Sequence, residues 1–303
     1  MLTIPHSAKQ AQAVLLLSGL ANVAAEHPAA DPAGLKSIAY ALTLQGFAVL
    51  RVDKPGCGDS EGGPAREVDF TAVVDGYVAA VNQLKQHPRI DPGQIYIVGL
   101  SLGGLQAPLV ALQEPVRGIA VIGTFARSWS EYLQETTRRQ LQLSGADAGQ
   151  IDQHVAELKA GWQALGQEGL SPDDIMSKYP DLTNWVEQNW VDGKYFSGAG
   201  YRFFQQLCQV DVAAAWQRFD GPVLALWGST DLVSSRADHE LVAAIANGKQ
   251  AGRGQFQTLE GIEHSLRAAA TIEDAIRIAS QPGGQPAPAV TDAVASWLKR
   301  VAE

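Results

Sequence analysis

The feature that most constrains the fold is a Gly-x-Ser-x-Gly segment that directly follows a short apolar run. Residues 95–98 (IYIV) lead into residues 99–103 (GLSLG), which are followed by Gly104 and a helical pattern. A strand that runs into a sharp turn and then a helix, the nucleophile elbow, lifts a serine oxygen above the carboxyl edge of a sheet. Glycines at 99, 103 and 104 let such a strained turn pack closely. This context predicts that Ser101 is a nucleophile.

Residues 58–62 (GDSEG) match the same pattern in a different context. They begin several residues past the apolar run at 48–52, in a loop that contains Pro55 and is flanked by charged residues. Because no strand leads directly into this segment, its serine, Ser60, lacks the position that an exposed nucleophile needs. The context therefore favours Ser101 over Ser60.

Short apolar runs alternate with stretches of helical periodicity over much of the chain. Between the first two runs, Leu35, Ile38 and Leu42 recur at helical spacing, and a glycine follows where the helix would end. Strands that alternate with helices predict an α/β fold with a mostly parallel, doubly wound sheet that helices cover on both faces. The predicted strands are residues 14–17, 48–52, 95–98, 119–122, 223–227 and 256–259.

The alternation stops after residue 123 and resumes only near residue 217. The intervening residues contain no convincing β run and consist of polar helical segments rich in Gln and Glu. We therefore expect an α/β core formed by residues 1–123 and 217–303, with residues 124–216 as an inserted helical cap, or lid. The aromatic residues of this insertion indicate an apolar pocket. Its tryptophans are Trp129, Trp162, Trp185, Trp190 and Trp216.

A serine hydroxyl needs a general base and a group that orients that base. Of the six histidines, only His264 lies in a polar loop just past a late predicted strand, whereas His239 lies in a helical pattern. Asp231 follows another late strand. Ser101, Asp231 and His264 thus occur in the order that this kind of sheet requires for a catalytic triad.

Three other acidic residues are less well placed to orient the histidine. Asp220 comes before its strand and should lie at the opposite edge of the sheet, and Asp238 lies on the following helix. Glu131, shortly after the strand at 119–122, is the only rival position at the carboxyl edge. The pattern therefore favours Asp231 as the orienting acid.

Together these residues resemble the α/β-hydrolase superfamily, over the predicted core without its insertion. Residues 50–62 (LRVDKPGCGDSEG) are similar to the loop after the fourth strand in its esterase and acylaminoacyl-peptidase-like branches, and residues 228–231 (GSTD) are similar to its acid loop. In that family a His-Gly loop carries the first oxyanion donor, and the matching position here reads Ser-Gly-Leu at 18–20. The resemblance implies that the backbone N–H groups of Leu20 and Leu102 form the oxyanion hole, and that the insertion covers the serine.

The resemblance also implies a serine hydrolase that cleaves a carboxylic ester, with a small to medium apolar acyl group, through an acyl-enzyme. A thioesterase, an acyltransferase and an amide or peptide hydrolase could use the same three residues, so these alternatives stay open. A catalytically silent binding module on the same fold is the alternative from another class. The expected partner is a small-molecule ester, thioester or amide, and a homodimer is left open.

Composition argues against several other classes. The chain has 23 Lys and Arg against 32 Asp and Glu, without the basic cluster that nucleic-acid binding requires. A dinucleotide-binding G-x-G-x-x-G would need glycine at Glu61, no P-loop sequence occurs, and no two histidines stand at ligand spacing on one helix. We therefore expect no cofactor and no metal, and we interpret Cys57 and Cys208 as reduced thiols.

The sequence also bears on where the protein is located. Without a signal-peptide pattern or an apolar stretch of about 20 residues, we expect a cytoplasmic protein that does not span a membrane.

Overall fold

The computed structural model describes residues 1–6, 9–20, 34–279, 281 and 284–302. Within them, seven strands form one sheet and two short strands form a separate ribbon. The strands are β1 (Leu2–Thr3), β2 (Ala11–Leu17), β3 (Ala48–Arg51), β4 (Ile90–Leu100), β5 (Gly118–Ile122), β6 (Tyr195–Phe196), β7 (Ala199–Gly200), β8 (Val223–Gly228) and β9 (Gly254–Leu259). The sheet order is β1-β3-β2-β4-β5-β8-β9, and every neighbouring pair is parallel except β1 with β3.

Helices connect the strands and cover the sheet. They are α1 (Leu35–Leu44), α2 (Phe70–Gln86), α3 (Leu102–Gln113), α4 (Trp129–Leu143), α5 (Ala148–Gly166), α6 (Pro172–Lys178), α7 (Thr183–Asn189), α8 (Tyr201–Cys208), α9 (Val212–Arg218), α10 (Arg236–Lys249), α11 (Ile272–Ala279) and α12 (Pro288–Ala302). Short 3₁₀ helices lie at Ala65–Glu67 and Pro180–Leu182. None of the helices in the described part of the chain combines the length and the apolar character that crossing a membrane requires.

Both faces of the sheet are buried, which explains why its central strands are continuous apolar runs. Successive side chains of a strand point to opposite faces. In β2, Leu15 and Leu17 belong to the core that α2, α3 and α10 share, whereas Val14 and Leu16 pack in the core formed with α1 and α12. The prediction of a mostly parallel α/β sheet covered by helices on both faces is confirmed.

The strand order creates a crevice at the carboxyl edge of the sheet. Strand β2 lies between β3 and β4, so the chain leaves β2 toward one side and returns to its other side. Loops that follow the two strands at such a switch point separate, and ligands of open α/β sheets bind there. The loop that follows β2 starts at residue 18, and Ser101 follows β4 directly.

Residues 123–222 connect the neighbouring strands β5 and β8 and contain α4 to α9. The bound predicted at residue 216 falls within α9, which ends at Arg218. The sequence predicts no strand here, but the structure has the ribbon of β6 and β7, each two residues long. Ser197 and Gly198, between the two strands, have φ values of 47° and 82°. Such positive values at both central residues are typical of tight hairpin turns. Two-residue strands carry too little alternation to be recognised from a sequence.

Candidate active site

Ser101 stands at the sharp turn between β4 and α3. Its backbone has φ 52° and ψ −121°, a conformation that is costly for a residue with a Cβ atom. Its N–H donates to the carbonyl of Ile122 at 2.9 Å, which ties the turn to the end of β5. The strand thus runs directly into the helix, with the serine held at the carboxyl edge.

The glycines around Ser101 are required by close backbone approaches. A Cβ atom on Gly99 would lie 2.5 Å from the carbonyl oxygen of Gly103. A Cβ atom on Gly103 would lie 2.5 Å from the carbonyl oxygen of Leu17, and one on Gly104 would lie 2.6 Å from the Thr124 side chain. Real Cβ atoms do not come that close to other atoms, so larger residues would displace the turn.

The structure brings Ser101, His264 and Asp231 into one hydrogen-bonded chain. His264 Nε2 lies 3.2 Å from Ser101 Oγ, and His264 Nδ1 lies 2.9 Å from Asp231 Oδ2. An ionised carboxylate can only accept, so Nδ1 carries the proton toward Asp231 and Nε2 is free to accept from the serine hydroxyl. The arrangement is that of a nucleophile, a base and a group that orients the base.

The Asp231 carboxylate is fully supplied with donors. Its Oδ1 accepts from the backbone N–H groups of Val233 (2.7 Å) and Ser234 (2.8 Å), and its Oδ2 accepts from the Ser234 hydroxyl at 2.6 Å. Burial by itself would raise the pKa of Asp231, but the charge and hydrogen bond of His264, together with the side-chain and backbone hydrogen bonds of Ser234, lower it to about 2. Since this pKa is below the usual 3.8, the ionised group stabilises the fold above about pH 4, and that contribution is lost as pH falls toward 2.

His264 lies in a loop that a buried carboxylate holds in shape. Glu263, 4% exposed, accepts from the backbone N–H of Ser265 at 2.9 Å and from the backbone and Nε of Arg267 at 3.1 Å. Burial by itself would lower the pKa of His264, but the Asp231 carboxylate, aided by Glu263, raises it above 6.5. The His264 side chain remains 22% exposed, so a proton can be exchanged with a bound molecule or solvent.

Gly123, at the end of β5, lies directly against the histidine and the acid. A Cβ atom there would lie 3.2 Å from His264 Cε1 and Nδ1 and 3.4 Å from Asp231 Oδ2. Gly123 also has φ 64°, which a side chain would strain. The sequence reasoning missed this residue, although a glycine that directly follows a strand at the carboxyl edge is a usable signal.

Two neighbouring side chains of α10, also missed, fix the chain just beyond Gly123. His239 Nε2 accepts from the backbone N–H of Thr124 at 3.0 Å, and its Nδ1 donates to the Ser235 carbonyl at 2.7 Å. Asp238 Oδ1 accepts from the backbone N–H of Ala126 at 3.1 Å. Burial lowers the pKa of His239, so it stays neutral, as its accepting role requires. A helical pattern in the sequence does not reveal such contacts with a distant strand end.

The two predicted oxyanion donors belong to Leu102, which directly follows Ser101, and to Leu20, which directly follows Gly19. Leu102 is the first residue of α3, and the N–H groups of a helix's first turn have no acceptor within the helix. Leu20 follows Gly19, where a Cβ atom would lie 3.3 Å from Ser101 Cβ and 3.7 Å from its Oγ. The positive end of α3 adds to the potential at this position.

The rival residues have other partners. Ser60 Oγ donates to the carbonyl of Asp53 at 2.8 Å. Glu131 closes a capping box with Ser128 at the start of α4, and Asp220 pairs with Lys249 at 2.7 Å. Asp238 contacts Arg127 Nε at 3.2 Å. In the described ranges, no three His, Cys, Asp or Glu side chains are grouped so that they could hold a metal ion.

A family model described as serine aminopeptidase, S33 matches residues 12–268 of this chain. Among curated proteins, Esterase EstD from Thermotoga maritima is 23% identical over 249 residues, which are 82% of this chain and 53% of that protein. Polyketide transferase ATR5 from Stachybotrys chlorohalonatus is 28% identical over 174 residues, which are 53% of this chain and 57% of that protein. The chain spans about half the length of these curated relatives.

Among solved structures, Est1E from Butyrivibrio proteoclasticus with ferulic acid bound has the same fold. The TM-score is 0.58 at 16% identity, over 100% of this chain and 95% of that chain. The family model extends from β2 to the loop beyond His264 and so includes every strand of the main sheet except β1, together with both late loops. On this match the chain belongs to the serine aminopeptidase S33 family of the α/β-hydrolase superfamily.

Proposed function

We propose that this chain is a serine hydrolase that cleaves a carboxylic ester through an acyl-enzyme on Ser101. The observation that carries the proposal is the hydrogen-bonded chain from Ser101 Oγ through His264 to Asp231, at 3.2 and 2.9 Å. Both distances lie within the range of about 2.6–3.2 Å over which a proton passes between such groups. The strained turn that presents Ser101 is a second support, because backbone strain of this kind is retained mainly at functional sites.

The geometry implies two half-reactions. In the first, Ser101 Oγ attacks the carbonyl carbon while His264 Nε2 takes its proton, and the Asp231 carboxylate stabilises the imidazolium. The oxyanion of the tetrahedral intermediate accepts from the N–H groups of Leu20 and Leu102. His264 then gives its proton to the leaving alcohol. In the second half-reaction, His264 Nε2 takes a proton from water while the water oxygen attacks the acyl carbon. The intermediate then breaks its bond to Ser101 Oγ, His264 returns the proton to that oxygen, and the acid leaves.

We propose that residues 124–216 act as the cap over this site. Their first helix, α4, contacts the loop that carries the acid: Thr136 Oγ1 donates to the Val233 carbonyl at 2.8 Å, and Gln140 Nε2 donates to the Leu232 carbonyl at 3.0 Å. These bonds join the insertion to residues immediately beyond Asp231. A movement of α4 would therefore displace the backbone that follows Asp231.

An aromatic cluster that begins beside the triad forms the core of the insertion, and its tryptophans are at most 5% exposed. Phe125 is two residues beyond Gly123, which lies against His264. Its ring stacks on Tyr132 with centroids 4.1 Å apart and lies 5.8 Å from Trp129. From Trp129 the cluster continues into the insertion. Its further members are Trp162, Trp185, Trp190, Phe196 and Phe204.

A second candidate function is acyl transfer or thioester cleavage by the same acyl-enzyme. The observation that favours it is the 28% identity to a protein named polyketide transferase. The three side chains activate a serine but do not select the acceptor, because any nucleophile that reaches the acyl-enzyme can replace water. The acceptor must therefore be found by experiment.

The test is a substrate panel: p-nitrophenyl esters of increasing acyl length, methyl ferulate, acyl thioesters and aminoacyl anilides, each compared with Ser101→Ala as the blank. We expect the highest kcat/KM for short to medium acyl esters. Turnover of thioesters well above that of matched esters would favour the second candidate. Turnover of anilides alone, or rates no higher than those of the Ser101→Ala variant for every substrate, would contradict the esterase proposal, and the second result would favour a binding module.

A further inference from the structure

Lys54 is a buried lysine that the triad mechanism does not use. It lies in the loop after β3, just before the 58–62 segment, and it is 4% exposed. Lysines are seldom buried to this extent unless their ammonium group has partners. The Lys54 ammonium donates a hydrogen bond to the backbone carbonyl of Gly19.

The bonded carbonyl belongs to the peptide unit that supplies a proposed oxyanion donor. The carbonyl of Gly19 and the N–H of Leu20 are the two ends of one planar peptide group. In a trans peptide these ends point in opposite directions, so a cation bound at the carbonyl leaves the N–H directed away from it. Gly19 itself lies against Ser101, with its ideal Cβ position 3.7 Å from the serine Oγ. A cation at a carbonyl also draws electrons from the amide, which makes the N–H a stronger donor.

We propose that Lys54 is a positioning residue of the oxyanion hole, which fixes the plane of the Gly19–Leu20 peptide and strengthens the Leu20 N–H as a donor. This inference rests on the proposed function, because it assigns a role within that hole. Lys54 does not touch the substrate; it acts through one peptide group. The class of ligand it serves is the negatively charged oxygen of a tetrahedral intermediate.

The charge state of Lys54 provides a specific readout. Burial, opposed by the Cys57 thiol, lowers the pKa of Lys54 from 10.5 to about 8. Among the described residues, this loop also contains Asp53, which acts on Cys57, together with Asp59 and Glu61, and the pKa of Tyr77 on α2 is also influenced by Cys57. Burial raises the pKa of both Cys57 and Tyr77 above their usual values of 9.0 and 10.0, so both are neutral near pH 8. A loss of activity near pH 8 therefore reports on Lys54.

Stability and activity should respond to this titration with opposite signs. Because the pKa of Lys54 is lower in the folded protein, the unfolded chain binds more protons between about pH 8 and 10.5, and stability rises with pH over that interval as far as this group is concerned. The amine that has lost its charge is a weaker partner for the Gly19 carbonyl. Activity should therefore fall while this contribution to stability grows, which a purely structural role would not produce.

The experiment measures kcat and KM for p-nitrophenyl butyrate from about pH 5.5 to about 9.5, with thermal melting at each pH. The variants are Lys54→Met, which keeps the length of the side chain but removes the charge, and Lys85→Met as the matched control. Lys85 lies on α2, where it pairs with Glu114 at 2.6 Å away from the site. Ser101→Ala gives the blank rate at every pH.

We expect Lys54→Met to lower kcat about 10- to 100-fold at pH 7, with KM changed less than about threefold, and to lack the fall near pH 8 that the wild type shows. Lys85→Met should keep the wild-type profile. Lys54→Met with kcat within about twofold of the wild type, or with the same alkaline fall, would overturn the inference. If Lys54→Met does not fold, the wild-type profile decides: a fall near pH 8 without a lower melting temperature supports the inference, and a plateau overturns it. A wild type without any ester turnover would instead mean that the proposed function has failed.

Discussion

Two segments of this chain share the pattern Gly-x-Ser-x-Gly, and they form different structures. In the 99–103 segment, Ser101 stands between β4 and α3 with a φ of 52°, and its hydroxyl meets a histidine nitrogen at 3.2 Å. In the 58–62 segment, Ser60 lies in a loop beyond β3, and its hydroxyl donates to the carbonyl of Asp53 at 2.8 Å. The pattern is the same, but the element that precedes it differs.

A strand that leads directly into the pattern places the serine at the carboxyl edge of the sheet, where it meets His264. Strand β4 ends at Leu100, so the chain can turn only by straining the next residue, Ser101. The 58–62 segment begins after several loop residues, which turn the chain without strain at the serine. Its loop has a different role in our proposals, since Lys54 reaches back from it to the Gly19 carbonyl.

Replacing the two serines should give the largest contrast. Ser101→Ala removes the nucleophile and should lower kcat for ester hydrolysis by about 10⁶-fold. Ser60→Ala removes only a loop hydrogen bond and should leave kcat within about twofold. Steady-state kinetics on a p-nitrophenyl ester measure both. Comparable losses in the two variants, with both proteins folded by circular dichroism, would remove the distinction between the segments.

Replacing the acidic residue associated with each serine should give the next largest contrast in kcat. Asp231→Asn keeps the shape of the side chain but removes the charge that sets the His264 tautomer, and should lower kcat by about 10⁴-fold. Asp59→Asn, in the 58–62 segment, changes an exposed side chain and should have little effect on kcat. The same assay measures both. An Asp231→Asn variant with near wild-type kcat would contradict the assignment of the acid.

Glycines near the two segments provide a smaller contrast. In Gly123→Ala, the new Cβ atom would lie 3.2 Å from His264, so we expect kcat to fall about 10- to 100-fold and the free energy of unfolding to fall by about 1 kcal/mol. Gly63, just past the 58–62 segment, has no atom within 4 Å of its ideal Cβ position. Gly63→Ala should therefore change neither quantity. Steady-state kinetics measure kcat, and urea unfolding measures the free energy of unfolding. If Gly123→Ala changed kcat no more than Gly63→Ala does, the added Cβ atom would not displace His264.

The acid limb of the pH profile sharpens the comparison further, because only the 99–103 segment contacts a histidine among the described residues. The proposed mechanism needs neutral His264, whose pKa Asp231 raises above 6.5 against the effect of burial. We expect kcat/KM to fall about tenfold for each pH unit below that pKa. A profile that stays flat down to pH 5 would contradict a role for His264 as the base.

Much of the sheet and the grouping of Ser101, Asp231 and His264 at its carboxyl edge could be predicted from the sequence, and the reason is local. Buried parallel strands such as β4 and β8 are largely apolar runs, and Ser101 and Asp231 each follow one within a few residues; His264 follows β9, a partly buried strand with the sequence GQFQTL. Strand β1 and helix α11 were not predicted, because a two-residue edge strand and an eight-residue helix carry too little periodicity.

The residues that support the triad could not be predicted, because their roles depend on contacts between distant parts of the chain. Gly123 matters because it lies against His264, and His239 matters because it accepts from Thr124. The sequence shows Lys54 only as a lysine in a loop, and its hydrogen bond to the Gly19 carbonyl depends on the fold. Such contacts are produced by the strand order, which a single sequence does not reveal.

The central claim is that Ser101, and not Ser60, is the nucleophile. The most direct measurement treats the wild type with a fluorophosphonate probe and locates the adduct by peptide mass spectrometry, with Ser101→Ala and Ser60→Ala as controls. We expect a single adduct on the peptide that contains Ser101, retained in Ser60→Ala and lost in Ser101→Ala. An adduct on Ser60, or a folded wild type that is not labelled at Ser101, would contradict the claim.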